Sequence, residues 1–328
     1  MESNIKYIFD DEVYSSVKSL NSYLKKSGYY KNLDKALTNR DSGMRILGEI
    51  DNTKIQYKYL PNRKVVPVVK HKPKEGTCPL CIGIQQQKLI SPINKVKGLI
   101  FRNYLIKPNT FPYFKNHLLI ISLDHNHGSM GDRGTQLILH QNISVIYDFV
   151  DLIALLKKGT LFFNGLIGNS QLHFHFQYTT EDLPIKKYLL TQQTKKETFK
   201  TLNKTKIYIF KINESKCLNG IMLKGPPQSI YKDIFKIIQN VAKRDYLYNI
   251  ILYNSTDKKN TTCIIFIRKK LKTESVFNFD MGAASLSGVH FFTEKKCFYD
   301  KNIGTNIAKY CDLTVIPIKI EFIKQIFG

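Results

Sequence analysis

The chain has 328 residues, of which 43% are hydrophobic, and its formal net charge is +24. A chain of this length can bury one large core or two smaller ones. It contains no apolar run long enough to cross a bilayer, and its first residues lack the basic start and apolar core of an export signal. These features argue against an integral membrane protein and predict a soluble, cytoplasmic protein.

The excess of lysine raises the question of a polyanionic partner. The basic residues are spread along the whole chain and are not gathered with glycine and aromatic residues in one stripe. This distribution is typical of solvated surface lysines, so it disfavours nucleic-acid binding. A general positive field still suits a small phosphorylated ligand.

The first half of the chain predicts strands around one long helix. A short amphipathic pattern from Val13 to Leu24 is followed by strand-like alternation from Lys54 to Lys70. Two apolar strands come next, from Gly98 to Ile106 and from His117 to Leu123. A helix with one buried face then ends near Lys157-Lys-Gly159. Its apolar residues recur at three- and four-residue steps, at Leu139, Ile143, Ile146, Val150 and Ile153.

The second half partly repeats this order. Residues Thr191 to Lys206 are polar and are interpreted as a link between the halves. A helix capped by Ser229, a hairpin and a last strand from Gly288 to Thr293 follow. The sequence therefore predicts an α+β fold with two related lobes, each an antiparallel sheet with packed helices, over residues 1–190 and 191–328.

One strand and the turn before it hold the most informative pattern. Strand side chains alternate between faces, so His173, His175 and Gln177 should share one face and the apolar residues between them the other. The turn Asn164-Gly-Leu-Ile-Gly-Asn-Ser170 offers backbone N–H groups and a hydroxyl that can hold phosphate oxygens. Because imidazole is a nucleophile at neutral pH, the combination suggests attack on phosphorus. The alternative is a pair of ordinary surface histidines.

His-x-His-x-Gln after a Gly/Ser turn resembles the transferase and phosphorylase branch of the histidine-triad superfamily. That branch includes galactose-1-phosphate uridylyltransferase, diadenosine tetraphosphate phosphorylase and the GDP-sugar phosphorylases. The resemblance implies a histidine-triad-like fold in which His175 attacks the α-phosphorus of a nucleotide and becomes a nucleotidyl-histidine. It also implies that Gln177 steadies the phosphoryl oxygens. The uridylyltransferase motif has proline between its histidines, whereas Phe174 stands here, which favours the phosphorylase side.

The resemblance extends upstream to a Cys-x-x-Cys pair. In the uridylyltransferases such a pair, a histidine after an apolar strand and the first histidine of the active strand together bind zinc. The corresponding residues are Cys78, Cys81, His125 and His173, a set of two thiolates and two imidazoles that suits structural zinc. His127 is an alternative ligand to His125, and the alternative to a metal is a cysteine pair that packs in a loop. No organic cofactor is implied.

The remaining candidates are expected to bind substrate. They include the turn residues Asn164, Gly165, Gly168 and Asn169, which with Ser170 would stabilise charge at phosphorus.

Two further candidates lie outside that turn. Arg63 is placed where the family often keeps a phosphate-binding residue, and Asn109 is a candidate to hydrogen-bond ribose or base. A solvated arginine and an ordinary turn asparagine are the alternatives. Arg268 and Lys269, at the end of a later strand, are candidates to reach the phosphates from the second lobe, but a solvated role is expected for both. The cysteines outside the pair are expected to be buried thiols, at Cys217, Cys263, Cys297 and Cys311.

The sequence thus predicts a nucleotidyltransferase or phosphorylase. Its substrate would be an NDP-sugar or a dinucleoside polyphosphate, with phosphate or a sugar phosphate as acceptor. One alternative is a nucleotide hydrolase of the same fold, and another is a catalytically silent nucleotide- or RNA-binding protein. A third is a zinc-stabilised interaction domain, which would bind metal but no nucleotide. The pattern does not specify the oligomeric state, and a homodimer is one arrangement to be tested.

Overall fold

The chain folds around one large β-sheet, as a computed structural model shows. The structure describes residues 5–29, 31, 45–50, 53–60, 80, 98–123, 140–168, 171, 173–190, 194–202, 204–212, 218–255, 259–270 and 281–327. The strands in chain order are β1 (Ile5–Ile8), β2 (Arg45–Ile50), β3 (Thr53–Tyr59), β4 (Gly98–Phe101), β5 (Tyr104–Pro108), β6 (Leu118–Ser122), β7 (Thr160–Asn164), β8 (His175–Thr179), β9 (Thr194–Leu202), β10 (Thr205–Ile212), β11 (Asn219–Gly225), β12 (Leu247–Asn254), β13 (Thr261–Arg268) and β14 (Val289–Phe292).

The helices pack on this sheet and at its ends. In chain order they are α1 (Val13–Lys26), α2 (Ile143–Leu156), α3 (Pro184–Leu190), α4 (Pro227–Lys243), α5 (Ala283–Leu286), α6 (Lys295–Phe298), α7 (Ile303–Thr314) and α8 (Ile320–Phe327). Among these described helices, none combines the length and the apolar character that crossing a bilayer requires.

Eleven strands form the large sheet, in the spatial order β1-β4-β5-β6-β8-β7-β12-β13-β11-β10-β9. The smaller sheet has the order β14-β3-β2. Within the described strands, the parallel pairs are β1 with β4 and β3 with β14, and the others are antiparallel. The predicted α+β class is therefore confirmed.

The two halves of the large sheet contain the same order of elements. The first half runs β4, β5, β6, α2, β7 and β8, and the second runs β9, β10, β11, α4, β12 and β13. They join where β7 pairs with β12, with Asn164 opposite Asn249 and Thr160 opposite Tyr253. The separate sheets expected for two lobes are thus one continuous sheet, and the division at residue 190 stays a prediction.

Helix α2 forms where the apolar periodicity predicts it. The Asn142 side chain accepts a 3.0 Å hydrogen bond from the backbone N–H of Ser144, which caps the start of the helix. The helix ends at Leu156 because Lys157 adopts a left-handed conformation, with φ of 62°. Phe149 stacks on Phe176 of β8, with 3.9 Å between ring centroids. Burial of each such ring contributes roughly 1.5–3 kcal/mol to folding.

Three details of the second half differ from the expectations. The polar segment interpreted as a link contains the edge strand β9, which is held by backbone pairing to β10. Polar residues are common on edge strands, so composition alone does not separate them from loops.

Helix α4 starts at Pro227, which suits a first helical position, so Ser229 lies inside the first turn and is not the cap that the sequence predicts. Strand β14 joins β3 in the smaller sheet.

The cysteines of the second half are not all thiols. Cys263 is a buried thiol and Cys297 is a half-buried one. Cys311, which is buried in α7, is disulfide-bonded. The expectation of a thiol at Cys311 was wrong, because sequence spacing does not report which cysteines approach in the fold.

Candidate active site

His175 is the first residue of β8, where it pairs with Ile121 of β6. Its side chain is buried, and Nδ1 donates a 2.7 Å hydrogen bond to the backbone carbonyl of His173. This bond assigns the proton to Nδ1, so Nε2 carries the lone pair. Burial lowers the pKa of His175 below its ordinary value, although the His173 carbonyl acts in the opposite direction. The imidazole is therefore neutral at physiological pH and is chemically suited to nucleophilic attack.

The alternation predicted for this strand is observed. Phe174 and Phe176 belong to the core under α2, and His175 and Gln177 point to the opposite face of the sheet. On that face, Leu119 and Ile121 form a small apolar cluster with Leu80. The two polar side chains of β8 therefore lie in a largely apolar environment, in which electrostatic interactions are strong.

Gln177 is held by two donors. Its Oε1 accepts 2.9 Å hydrogen bonds from the Tyr113 hydroxyl and from His117 Nε2. His117 Nδ1 accepts from the Tyr113 backbone N–H at 3.3 Å, which is consistent with the proton residing on Nε2. Because its oxygen is occupied, Gln177 is left with an amide NH2 that donates. Such a donor can contact a phosphoryl oxygen.

Two residues that no sequence pattern singles out orient Gln177, namely His117 and Tyr113. His117 follows a turn and is completely buried, and Tyr113 packs against Phe291 of β14 with 4.3 Å between ring centroids. The smaller sheet therefore braces the side chain that fixes Gln177. A signal for His117 was present, since it begins an apolar strand. Its contact with a residue 60 positions away has no local signature.

Asn109 shapes the turn between β5 and β6. Its side-chain oxygen accepts a 2.9 Å hydrogen bond from the Phe111 backbone N–H, and Nδ2 donates to His117 Nδ1 at 3.3 Å. The Tyr29 hydroxyl donates to the Asn109 carbonyl at 2.8 Å. These contacts correspond to the turn role that was the alternative for Asn109, while a contact with ribose or base stays a prediction.

The side-chain amide of Asn164 holds the turn after β7 through two hydrogen bonds, one at its nitrogen and one at its oxygen. Nδ2 donates to the Gly168 carbonyl at 2.9 Å, and Oδ1 accepts from the Ala283 backbone N–H at 2.7 Å. Gly168 has φ of +80°, and a Cβ there would lie 2.3 Å from Cα of Gly282. A Cβ on Gly165 would lie 2.6 Å from the Tyr248 carbonyl oxygen. Both glycines are therefore required by close backbone packing against the second half of the chain.

A buried arginine supports the same turn. Arg268 NH1 donates to Asn249 Oδ1 at 2.9 Å and to the Met281 carbonyl at 2.8 Å. Asn249 Nδ2 in turn donates to the Ile167 carbonyl at 3.0 Å. Arg268 has no exposed surface, so the expectation of a solvated side chain was wrong. The end of a strand is expected to be exposed, but Met281, just before α5, and Tyr310 of α7 contact this arginine.

One predicted zinc ligand lies among the described residues. His173 Nε2 donates a 2.8 Å hydrogen bond to the Ser122 carbonyl, which places the lone pair on Nδ1. Metal-binding histidines usually donate their second ring nitrogen in this way, so His173 fits the predicted role. The other predicted site residues lie outside the described part of the chain and stay predictions, namely Arg63, Cys78, Cys81, His125, Asn169 and Ser170.

A cavity of about 200 Å³ lies elsewhere, beside one face of α1. Tyr178 lines it, and this ring points to the opposite face of β8 from His175. The cavity is therefore separate from the candidate active site.

Comparison with solved structures finds the yeast Ap4A phosphorylase Apa2, which aligns over 93% of this chain and 94% of that one, with 13% identity and a TM-score of 0.55. The same enzyme in complex with Ap4A aligns over 92% and 97%, with 12% identity and a TM-score of 0.53. A uridylyltransferase covers 73% of this chain and 90% of its own, with 12% identity and a TM-score of 0.37, too low for an inference. No family model and no curated protein matches the sequence.

The TM-scores of 0.55 and 0.53 over most of both chains establish a shared architecture. Identities of 13% and 12% do not transfer residue roles. The chain therefore has the fold of the yeast Ap4A phosphorylase Apa2.

Proposed function

We propose that the protein is a nucleotidyltransferase or phosphorylase that acts on a dinucleoside polyphosphate or an NDP-sugar through a nucleotidyl-histidine. The observation that carries this proposal is the buried His175 ring, whose Nδ1 donates to the His173 carbonyl. That bond presents a neutral imidazole with its lone pair on Nε2. The shared fold with an Ap4A phosphorylase supports it.

In the first step Nε2 of His175 attacks the α-phosphorus and the bond to the bridging oxygen breaks. The leaving group departs as a nucleoside polyphosphate or a sugar phosphate, and the nucleoside monophosphate stays on the ring. In the second step an oxygen of phosphate or of a sugar phosphate attacks the same phosphorus. The P–N bond breaks, which releases a nucleoside diphosphate or a new NDP-sugar and restores the imidazole.

Charge that develops on the phosphoryl oxygens needs fixed donors. The amide NH2 of Gln177 supplies one, because Tyr113 and His117 hold its oxygen. The turn from Gly165 to Ser170 supplies backbone N–H groups in the proposal. Its start is held by Asn164 and by packing against Gly282, so these donors cost little reorganisation.

The proposal includes a structural zinc bound by Cys78, Cys81, His125 and His173. Its support is the 2.8 Å hydrogen bond from His173 Nε2 to Ser122, which orients Nδ1 as a ligand. The metal would fix the residue whose carbonyl holds His175. Metal analysis of the purified chain tests this site, with the double variant Cys78→Ser/Cys81→Ser as comparison. Equal zinc in both proteins would refute it.

The experiment for the proposed activity uses Ap4A, UDP-glucose and GDP-mannose, each radiolabelled at the nucleotide α-phosphate. We expect an acid-labile label on the protein that is absent from His175→Asn and retained in the control His140→Asn. Added phosphate should remove the label and release a nucleoside diphosphate. Thermal melting of both variants checks that they fold.

Other outcomes distinguish the alternatives. Release of nucleoside monophosphate that does not depend on phosphate would identify a hydrolase. A ligand-dependent rise in melting temperature without any label would identify a silent nucleotide-binding protein. Label that persists in His175→Asn would refute the assignment of the nucleophile.

A further inference from the structure

The cavity of about 200 Å³ beside α1 has a basic wall. Lys18 and Lys25 of α1 line it, together with Lys158, which follows α2. All three are exposed, and exposed lysines keep their charged ends in water, so the positive charge lies at the mouth of the cavity. Among the described residues that line the cavity there is no Asp or Glu. The wall therefore attracts an anion and supplies no carboxylate that would compete with it.

The acidic residues next to this wall are paired outside it. Thr180 lines the cavity, and Glu181 and Asp182 follow it in the chain. Glu181 pairs with Lys58 at 2.8 Å. Asp182 pairs with Lys186 at 3.1 Å, and neither of these two lysines lines the cavity. The mouth of the cavity therefore keeps its positive charge.

Neutral polar groups supply the next part of the wall. Asn21 and Ser22 of α1 lie opposite Asn116 and Thr180 across the cavity. Among the described residues, Asn21 Oδ1 has no hydrogen-bond partner, so the amide is not held at this atom and can turn toward an occupant. Thr180 Oγ1 accepts a 2.8 Å hydrogen bond from Asn116 Nδ2, which leaves the Thr180 proton to donate elsewhere. These groups suit a ligand that carries hydroxyls.

Two tyrosine rings form the apolar part of the wall. The Tyr178 hydroxyl donates to the Lys158 carbonyl at 3.2 Å, which fixes that ring. The Tyr14 ring carries Lys157 above it, with 5.2 Å from Nζ to the ring centroid, so a fourth ammonium group lies beside the cavity. The remaining apolar residues of the wall are Val17 and Leu156. A ligand with one apolar face can pack against these side chains.

We propose that this cavity is a binding site for a sugar phosphate, separate from the candidate active site and independent of the proposed function. The lysines at the mouth meet the phosphate as point charges. The amide and hydroxyl groups meet the sugar hydroxyls, and the tyrosine rings contact the apolar face of the sugar. Pockets for drug-sized ligands measure roughly 300–1,000 Å³, so a cavity of about 200 Å³ favours one phosphorylated sugar over a nucleotide.

The test measures the binding of ribose 5-phosphate by calorimetry at about 0.15 M salt, which screens the general positive field. The cavity variant is Lys18→Gln/Lys158→Gln. The control is Lys26→Gln/Lys243→Gln, which removes the same charge from exposed lysines at the ends of α1 and α4, outside the wall. We expect the cavity variant to bind at least about ten-fold more weakly and the control to match the parent. Thermal melting checks that both variants fold.

The sugar part of the site has its own measurement. Ribose and orthophosphate should each bind the parent more weakly than ribose 5-phosphate, because each lacks one half of the contacts. Asn21→Leu should weaken the binding of ribose 5-phosphate and leave that of orthophosphate unchanged. Orthophosphate that binds as tightly as ribose 5-phosphate would refute a site for a sugar phosphate.

The other outcomes also decide the proposal. Unchanged affinity in the cavity variant would place the sugar phosphate elsewhere, the candidate active site included, and would refute the inference. Equal weakening in both double variants would indicate a general electrostatic attraction and would refute it as well. The same holds if the parent binds no ribose 5-phosphate. None of these results bears on the label at His175, which tests the proposed function alone.

Discussion

The side-chain oxygen of Asn164 accepts a 2.7 Å hydrogen bond from the backbone N–H of Ala283, 119 residues further along the chain. The other end of the same amide donates to the Gly168 carbonyl. One side chain therefore joins the turn before the histidine strand to the start of α5. The second half of the chain is thus part of the support of the candidate active site, although the nucleophile and Gln177 belong to the first half.

The variant Asn164→Asp tests this joint. A carboxylate keeps the acceptor for Ala283 but lacks the NH2 that donates to Gly168, and it places a charge in a buried position. We expect a loss of roughly 2–3 kcal/mol in the free energy of unfolding, measured with urea. Asn142→Asp is the matched control, because Asp caps an exposed helix start as well as Asn. Equal losses in the two variants would contradict the proposed joint.

Gly168→Ala tests the close packing of the turn. The new Cβ would meet the backbone of Gly282, and the positive φ adds strain. Gly28→Ala is the control, since Gly28 also has a positive φ of +71° but its Cβ would meet nothing closer than 4.0 Å. We expect about 1–2 kcal/mol of destabilisation for Gly28→Ala. The loss for Gly168→Ala should be clearly larger, and urea unfolding of both variants measures the difference.

Local patterns predicted the elements that carry the site. The apolar periodicity from Ile143 to Ile153 predicts α2, and the alternation around His175 predicts which side chains share a face, because both patterns depend on neighbours in sequence. Contacts such as His117 with Gln177 depend on which strands become neighbours. Sequence spacing carries no information on that pairing, so the residues that orient Gln177 were missed.

Burial of a strand end and the position of a strand at a sheet edge are two features that sequence composition does not predict. Arg268 is the last residue of β13, a position typical of solvated side chains, yet it is completely buried and hydrogen-bonded to Asn249, Met281 and Tyr310. The strand β9 was interpreted as a link, because an edge strand is held by backbone hydrogen bonds that any polar sequence can form. Both features are decided by what packs nearby in three dimensions.

Tyr113→Phe removes one of the two donors to Gln177 and keeps the ring that packs on Phe291. A buried hydrogen bond is worth about 1 kcal/mol, and its loss from the transition state corresponds to about a five-fold lower kcat. We therefore expect Tyr113→Phe to turn over Ap4A about five-fold more slowly, with KM nearly unchanged. The control is Tyr104→Phe, whose hydroxyl contacts Asp148 away from the site. Steady-state kinetics with phosphate as acceptor measures the effect. Equal rates in the two variants would indicate that Gln177 does not need Tyr113.

Arg268→Gln tests the buried support of the turn. The substitution deprives Asn249 and the Met281 carbonyl of their charged donor, and each buried acceptor left unsatisfied costs about 1–3 kcal/mol. We expect a total loss of roughly 2–4 kcal/mol in urea unfolding. Arg244→Gln, which loses a partly exposed contact with Gln325, should lose less than about 1 kcal/mol. A stability of Arg268→Gln within that smaller range would show that the network is dispensable.

His290, in the smaller sheet that braces Tyr113, makes the fold sensitive to acid. Burial lowers its pKa to about 3, so the folded chain leaves the ring neutral over a range in which the unfolded chain, with a pKa near 6.5, binds a proton. Stability should therefore be lost as the pH falls from about 6.5 toward 3, by at most about 1.4 kcal/mol per pH unit.

His290→Leu should reduce this dependence of the unfolding free energy on pH by up to the equivalent of one proton, measured by urea unfolding at a series of pH values. His140→Leu, at a half-buried ring, should reduce it less. An unchanged slope in His290→Leu would place the acid sensitivity at other groups, among them His175, whose pKa burial also lowers.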